Sequence, residues 1–170
     1  MKAFSFQRIG EYKESDRVST QSARQYKDAT DLILKMGGGD EQMDTAVRRL
    51  TPKECERLQG FPDNWTLIGE YDPTTQERYY IDSSGKRKKV TDSARYKALG
   101  NSIALPFWQY LARRICAQYE RDITMGSLFD GIGGFPYVFE RCGAKAVWAS
   151  EIEEFPMAVT REHFPEGGKS

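Results

Sequence analysis

"GSLFDGIGGF" (126–135), followed by "WASEIEEF" (148–155), decides how this chain is read. An apolar run ends at Phe129-Asp130, and Gly131, Gly133 and Gly134 then let the backbone turn sharply and let a ligand approach the main chain. The pattern around this turn is strand, glycine bend, helix, strand, helix. It predicts strands at about 124–129 and 145–150 and helices at about 134–142 and 153–163. That is a β-α-β unit with the start of another, the entrance to a parallel sheet with right-handed crossover. Glu151 ends the second strand, where a carboxylate can accept hydrogen bonds from ribose hydroxyls. Bend and acid together point to an adenosine-type cofactor. The dinucleotide fingerprint fails, because a G-x-G-x-x-G frame begun at Gly131 needs glycine at 136 and Pro136 stands there. NAD is therefore disfavoured, and S-adenosylmethionine is the better candidate.

Upstream of the bend, Leu105, Trp108, Leu111, Ala112 and Ile115 recur at helical spacing, just after Gly100-Asn101-Ser102. In "RRLTPKECERLQGFPDNW" (48–65), Thr51 suits an N-cap, Pro52 the first helical position and Glu54 the reciprocal cap. Cys55 and Leu58 would share the apolar face of that short helix, which stops at Gly60. "RYYIDSSGKRKKVTD" (78–92) reads as a hairpin around Ser-Ser-Gly. Residues 1–35 read as irregular structure with short strands, and "KMGGGDEQM" (35–43) as a flexible connector.

The 170 residues allow one domain with a real core or two small incomplete ones. Lysines plus arginines equal aspartates plus glutamates at 25 each, so no global field advertises nucleic acid or membrane. The basic run "GKRKKV" (85–90) is local. Three cysteines without a C-x-x-C pair and a single histidine, His163, make a metal site improbable. His163 is expected at the surface, and Cys55, Cys116 and Cys142 as small packing residues. No stretch approaches the roughly 18 apolar residues of a membrane span, and the N-terminus lacks a signal core. An intracellular, cytoplasmic setting is expected.

"GSLFDGIGGF" with "VWASEIEEF" resembles motifs I and II of the DNA cytosine-5 methyltransferases. "RRLTPKECERLQGFPDNW" is similar to their motif IX, and "RYKALGNSIALPFW" (95–108) to motif X. The resemblance implies a fold and a site. The fold would be α/β, a partial Rossmann-like S-adenosylmethionine domain with an incomplete parallel sheet over 93–170. A small β-rich, target-recognition-type segment over 1–92, including motif IX, would precede it. Phe129 would pack on the adenine. Gly131, Ile132, Gly133 and Gly134 would form the cradle for the amino-acid part of the donor, and Asp130, where a small residue is common, would count with the cofactor-binding residues and partly offset the missing acid at Ser127. Glu151 would hold the ribose, Ile152 would line the adenine side, and Asn101 with Ser102 would close the pocket. Two positions depart from the pattern: many members carry an acid where Ser127 stands, and some an aromatic where Ile152 stands. DNA would be the partner, with Arg48, Arg49, Lys86, Arg87, Lys88 and Lys89 available to phosphates.

The motif order here is IX, X, I, II, as in a permuted, split or truncated member. The family's chemistry uses a cysteine after proline to attack cytosine C6 and a Glu-Asn-Val glutamate, on a base swung out of the duplex. Neither Pro-Cys nor Glu-Asn-Val occurs in this sequence, so no catalytic residue is assigned. The expected function is a part of a DNA (cytosine-5-)-methyltransferase, inactive without a complementary chain carrying the missing motifs. The alternatives are a non-catalytic remnant that binds S-adenosylmethionine or DNA and, further off, a Rossmann oxidoreductase.

Overall fold

A computed structural model describes residues 2–8, 11–15, 31–36 and 45–165. β1 (Lys2–Arg8), β2 (Glu11–Ser15), β3 (Asp31–Met36) and β4 (Thr45–Arg49) form an antiparallel sheet in the order β2-β1-β3-β4. The short strands expected before residue 36 are thus joined by β4, whose Ala-Val core is too brief for a periodic signal. Most of the glycine connector, from Gly37 to Met43, lies outside the described residues.

α1 (Pro52–Gln59) begins with the expected capping box: Thr51 Oγ1 accepts from Glu54 N–H, and the Glu54 carboxylate accepts from Thr51 N–H at 2.8 Å. Its buried face departs from the reading by apolar spacing. Cys55 is buried, but Leu58 is 48% exposed, and the other buried residues of the helix are Pro52, Glu56 and Gln59. Glu56 accepts from Asn64 N–H at 2.7 Å, Thr66 N–H at 2.9 Å and Arg95 Nη2 at 3.2 Å. A buried carboxylate persists only when so satisfied, and this one fastens the Phe61–Leu67 loop to the helices.

β5 (Glu70–Asp72), β6 (Glu77–Ile81) and β7 (Arg87–Lys89) form a three-stranded antiparallel sheet, one strand more than the expected hairpin. Asp82 accepts from the amides of Ser84 and Lys86, both at 2.9 Å, and so closes the β6–β7 turn. α2 (Asp92–Gly100) starts at the Thr91 cap, and α3 (Leu105–Cys116) follows after Asn101–Ala104. β8 (Ile123–Leu128), α4 (Gly134–Glu140), β9 (Ala144–Ser150) and α5 (Glu154–His163) complete the chain, with β8 and β9 parallel. This is the expected incomplete α/β unit, within two residues at most boundaries.

One apolar core joins these parts. It runs from Leu50, Cys55, Phe61, Trp65 and Ile68 through Leu99, Leu105 and Ala112 to Ile132, Val138, Phe155 and Val159. Residues on both sides of position 92 share it. On α3, Leu105 and Ala112 are buried as the spacing requires, but Ile115 is exposed and the seam continues through Cys116.

Candidate functional site

Asp130 N–H donates to Ser150 O at 2.9 Å, which keeps the end of β8 beside the end of β9. The chain then turns through Phe129 (φ +53°), Gly131 (φ +63°) and Gly133 (φ +80°). A side-chain residue in the left-handed region carries strain, and here it lifts the Phe129 ring outward until it is 84% exposed. At Gly133 a Cβ would stand 2.8 Å from the Phe164 ring, so neither the backbone angle nor the space admits another residue.

Glu151 directly follows the end of β9. Its carboxylate accepts from Gly131 N–H at 2.8 Å, Ile152 N–H at 2.7 Å and Glu153 N–H at 3.0 Å. The next side chain, Ile152, is 87% exposed. Two bare apolar side chains therefore stand at neighbouring strand ends, with an acid anchored between them. Glu153 and Glu154 reach other elements: Glu153 takes Lys97 Nζ of α2 at 2.7 Å, and Glu154 accepts from Ser83 N–H at 3.0 Å. A cavity of about 250 Å³ opens beside Glu151, bounded by Ser83, Asp130, Ser150, Thr160 and Arg161.

Asp130 itself turns inward. It is buried and accepts from the hydroxyls of Ser127 and Thr160. Burial holds its carboxyl above the usual range against those hydrogen bonds. Ser127, the departure noted in the sequence, is thus a support for the bend. Asn101 caps the C-terminal end of α2 and is exposed, and Ser102 N–H donates to Leu99 O at 3.1 Å. The segment touches the bend through Ile103, whose Cγ1 would lie 3.0 Å from a Cβ on Gly134. Ile132 is buried, with its carbonyl turned to the core.

A residue quoted only as the end of a motif holds the bend from behind. Trp65 Nε1 donates to Ile132 O at 2.8 Å, and its ring stacks on His163 with centroids 3.6 Å apart. His163 Nε2 lies 2.8 Å from Trp65 O, an atom that only accepts, so Nε2 carries a proton. The expected surface histidine is half-buried in an aromatic cluster with Tyr137 and Phe164.

The basic run is largely matched in place. Arg87 pairs with Asp72 at 2.6 Å and stacks on Tyr79, Lys88 pairs with Asp82 at 2.9 Å, and Lys89 pairs with Glu77. Arg48 binds Glu54 in bidentate fashion, and this partner is the main reason the Glu54 carboxyl is lowered to about 2. Arg49 and Lys86 are exposed. Among the described residues no cluster suits a metal ion, and no helix is long and apolar enough to cross a membrane.

Residues 2–117 match the profile of the C-5 cytosine-specific DNA methylases, a span that ends with α3. Among curated proteins the chain is similar to a DNA N-6-adenine-methyltransferase of Escherichia phage P1, 30% identical over 72% of this chain and 26% of that protein. It is also similar to the Type II methyltransferase M1.ScrFI of Lactococcus lactis subsp. cremoris, 29% identical over 65% of this chain and 21% of that one. A DNA-cytosine methyltransferase of Escherichia coli (strain K12) is 29% identical over 62% of this chain and 21% of its own length. The chain thus spans about a fifth to a quarter of these relatives.

Proposed function

The chain belongs to the C-5 cytosine-specific DNA methylase family, and from that premise we propose that it supplies the methyl-donor pocket of a DNA (cytosine-5-)-methyltransferase. The observation that carries the reading is the bend itself: strained Phe129 and bare Ile152 flank Glu151, whose carboxylate already rests on Gly131. An adenine fits between two exposed apolar side chains, and a ribose fits an acid at a strand end. Phe129 and Ile152 take the adenine, Glu151 the ribose, and the Gly131–Gly134 turn the amino-acid end of S-adenosylmethionine. Asn101 and Ser102 close the pocket from the end of α2. Asp130 and Ile132 act from beneath, holding the turn in shape. When bound, S-adenosylmethionine supplies an electrophilic methyl group; the residues of this chain bind and orient it.

The chain's sequence offers no Pro-Cys and no Glu-Asn-Val, so transfer to cytosine requires a segment that brings them. DNA is the acceptor expected of the family. Arg49 and Lys86 are the first candidates for phosphate contact, since engaging Arg48, Arg87, Lys88 or Lys89 means exchanging an existing ion pair. The name of the phage relative, an N-6-adenine-methyltransferase, favours a second reading, in which adenine N6 is the acceptor.

The test is transfer of a tritiated methyl group to DNA by the chain co-expressed with a segment carrying Pro-Cys and Glu-Asn-Val, followed by nucleoside analysis. 5-Methylcytosine supports the proposal. N6-Methyladenine supports the second reading, and no transfer by a folded, donor-binding complex leaves the non-catalytic remnant.

A further inference from the structure

The seam between α3 and α4 is regular. Gly134 faces Leu105, with a Cβ on Gly134 falling 3.4 Å from Leu105 Cδ2, and Phe135 meets Trp108 with ring centroids 4.8 Å apart. Beyond them Ala112 and Val138 are both completely buried. Contacts advance from the N-terminal ends of both helices together, so the two run the same way, side by side. Leu105, Trp108, Ala112 and Cys116 follow three- and four-residue steps, as do Gly134, Val138 and Cys142. At ~1.5 Å per residue Cys116, the last residue of α3, lies about 12 Å beyond Trp108; Cys142 stands in the turn just past the end of α4, its N–H donating to Phe139 O at 2.9 Å. Each thiol thus stands at or just past the C-terminal end of its helix, at the far end of the seam.

Both cysteines are half-buried and neither is in a disulfide. Burial raises the Cys116 thiol, and Cys142 adds to the rise. Cys55, by contrast, is fully buried in α1.

We propose that Cys116 and Cys142 are a redox-responsive thiol pair, which a small-molecule disulfide such as oxidised glutathione converts into a bridge between α3 and α4. One thiolate attacks the disulfide and displaces a thiolate, leaving a mixed disulfide on the protein. The second cysteine then attacks the protein-side sulfur and displaces the remaining thiol. Two protein thiols and one small disulfide become one protein disulfide and two small thiols, with the two protons passing to the leaving groups. In a reducing compartment such a bridge is transient, as befits a sensor rather than a staple. α3 follows the Asn101–Ala104 segment and α4 follows the glycine bend, so the bridge fixes the two walls of the donor pocket to each other. That consequence rests on the proposed donor site; the thiol pair does not.

The test is to incubate the unmodified chain with oxidised glutathione, block free thiols, and map the products by mass. The expected product lacks two hydrogens, joins the Cys116 and Cys142 peptides, and retains no glutathione. Cys116→Ser and Cys142→Ser are each expected to keep one glutathione on the remaining member of the pair. Stable glutathione adducts on both cysteines of the wild-type chain, or no reaction at either, overturn the proposal. A bridge that forms in a chain unable to bind S-adenosylmethionine sustains the thiol pair and overturns the donor reading instead.

Discussion

The carboxylate of Glu151 accepts from three amides, and an ionised carboxylate offers about four lone-pair positions. One position is left for a donor hydroxyl, so engaging both ribose hydroxyls means releasing an amide, Gly131 N–H being the one from another element. Glu151→Ala is therefore expected to act twice. It lowers S-adenosylmethionine affinity at least tenfold by calorimetry, and it lowers the melting temperature because three amides lose their acceptor at about 1 kcal/mol each. An unchanged melt would show that the acid serves the ligand alone. Glu54 gives a prediction in pH. Its folded pKa of about 2 lies below its ordinary 4.5, so its contribution is complete above about 4.5 and lost as pH falls through about 2. Glu54→Gln keeps the helix cap and removes the charge facing Arg48. It should destabilise by about 1 kcal/mol at pH 7 and converge with the wild type near pH 2 in chemical denaturation. A constant difference across that range would assign the effect to the cap.

Elements in this chain are joined by polar contacts across long separations, and those were the least legible in the sequence. The capping box of α1 was readable because Thr51, Pro52 and Glu54 are neighbours. Glu56 was not, since the groups that allow its burial come from Asn64, Thr66 and Arg95. The wrong assignment of Leu58 has the same origin: in an eight-residue helix, two apolar positions do not decide which face is buried. The matched state of Arg87, Lys88 and Lys89 depends on the register of β6 with β5 and β7, which no local pattern reveals. The glycine bend and its acid were legible, because strand ends and glycine angles are local. Glu56→Ala takes away the buried carboxylate facing Arg95, leaving it Thr66 Oγ1 and the exposed Asp92, and is expected to cost about 3 kcal/mol in denaturant titration. Trp65→Phe keeps much of the ring packing and loses the bond to Ile132 O, for a loss of about 1 kcal/mol with weaker donor binding. Loss of stability with donor affinity intact would separate the aromatic cluster from the pocket.

At the scale of the molecule, the described β8–β9 ladder has two strands and exposes Leu128, Val147 and Trp148. Parallel sheets are ordinarily covered on both faces, so this surface suits the apolar strands and helices of further methylase sequence. A complementary segment is expected to quench or shift Trp148 emission on binding, and Trp148→Lys to prevent assembly. Unaltered assembly by that variant would place the junction elsewhere. The proposed function presupposes the donor pocket, and calorimetric titration of the folded chain with S-adenosylmethionine, with NAD in parallel, tests it most directly. A donor pocket of this kind binds S-adenosylmethionine saturably, loses at least tenfold in affinity with Glu151→Ala, and does not bind NAD. A chain that melts cooperatively yet releases no heat with S-adenosylmethionine, or prefers NAD, would contradict it.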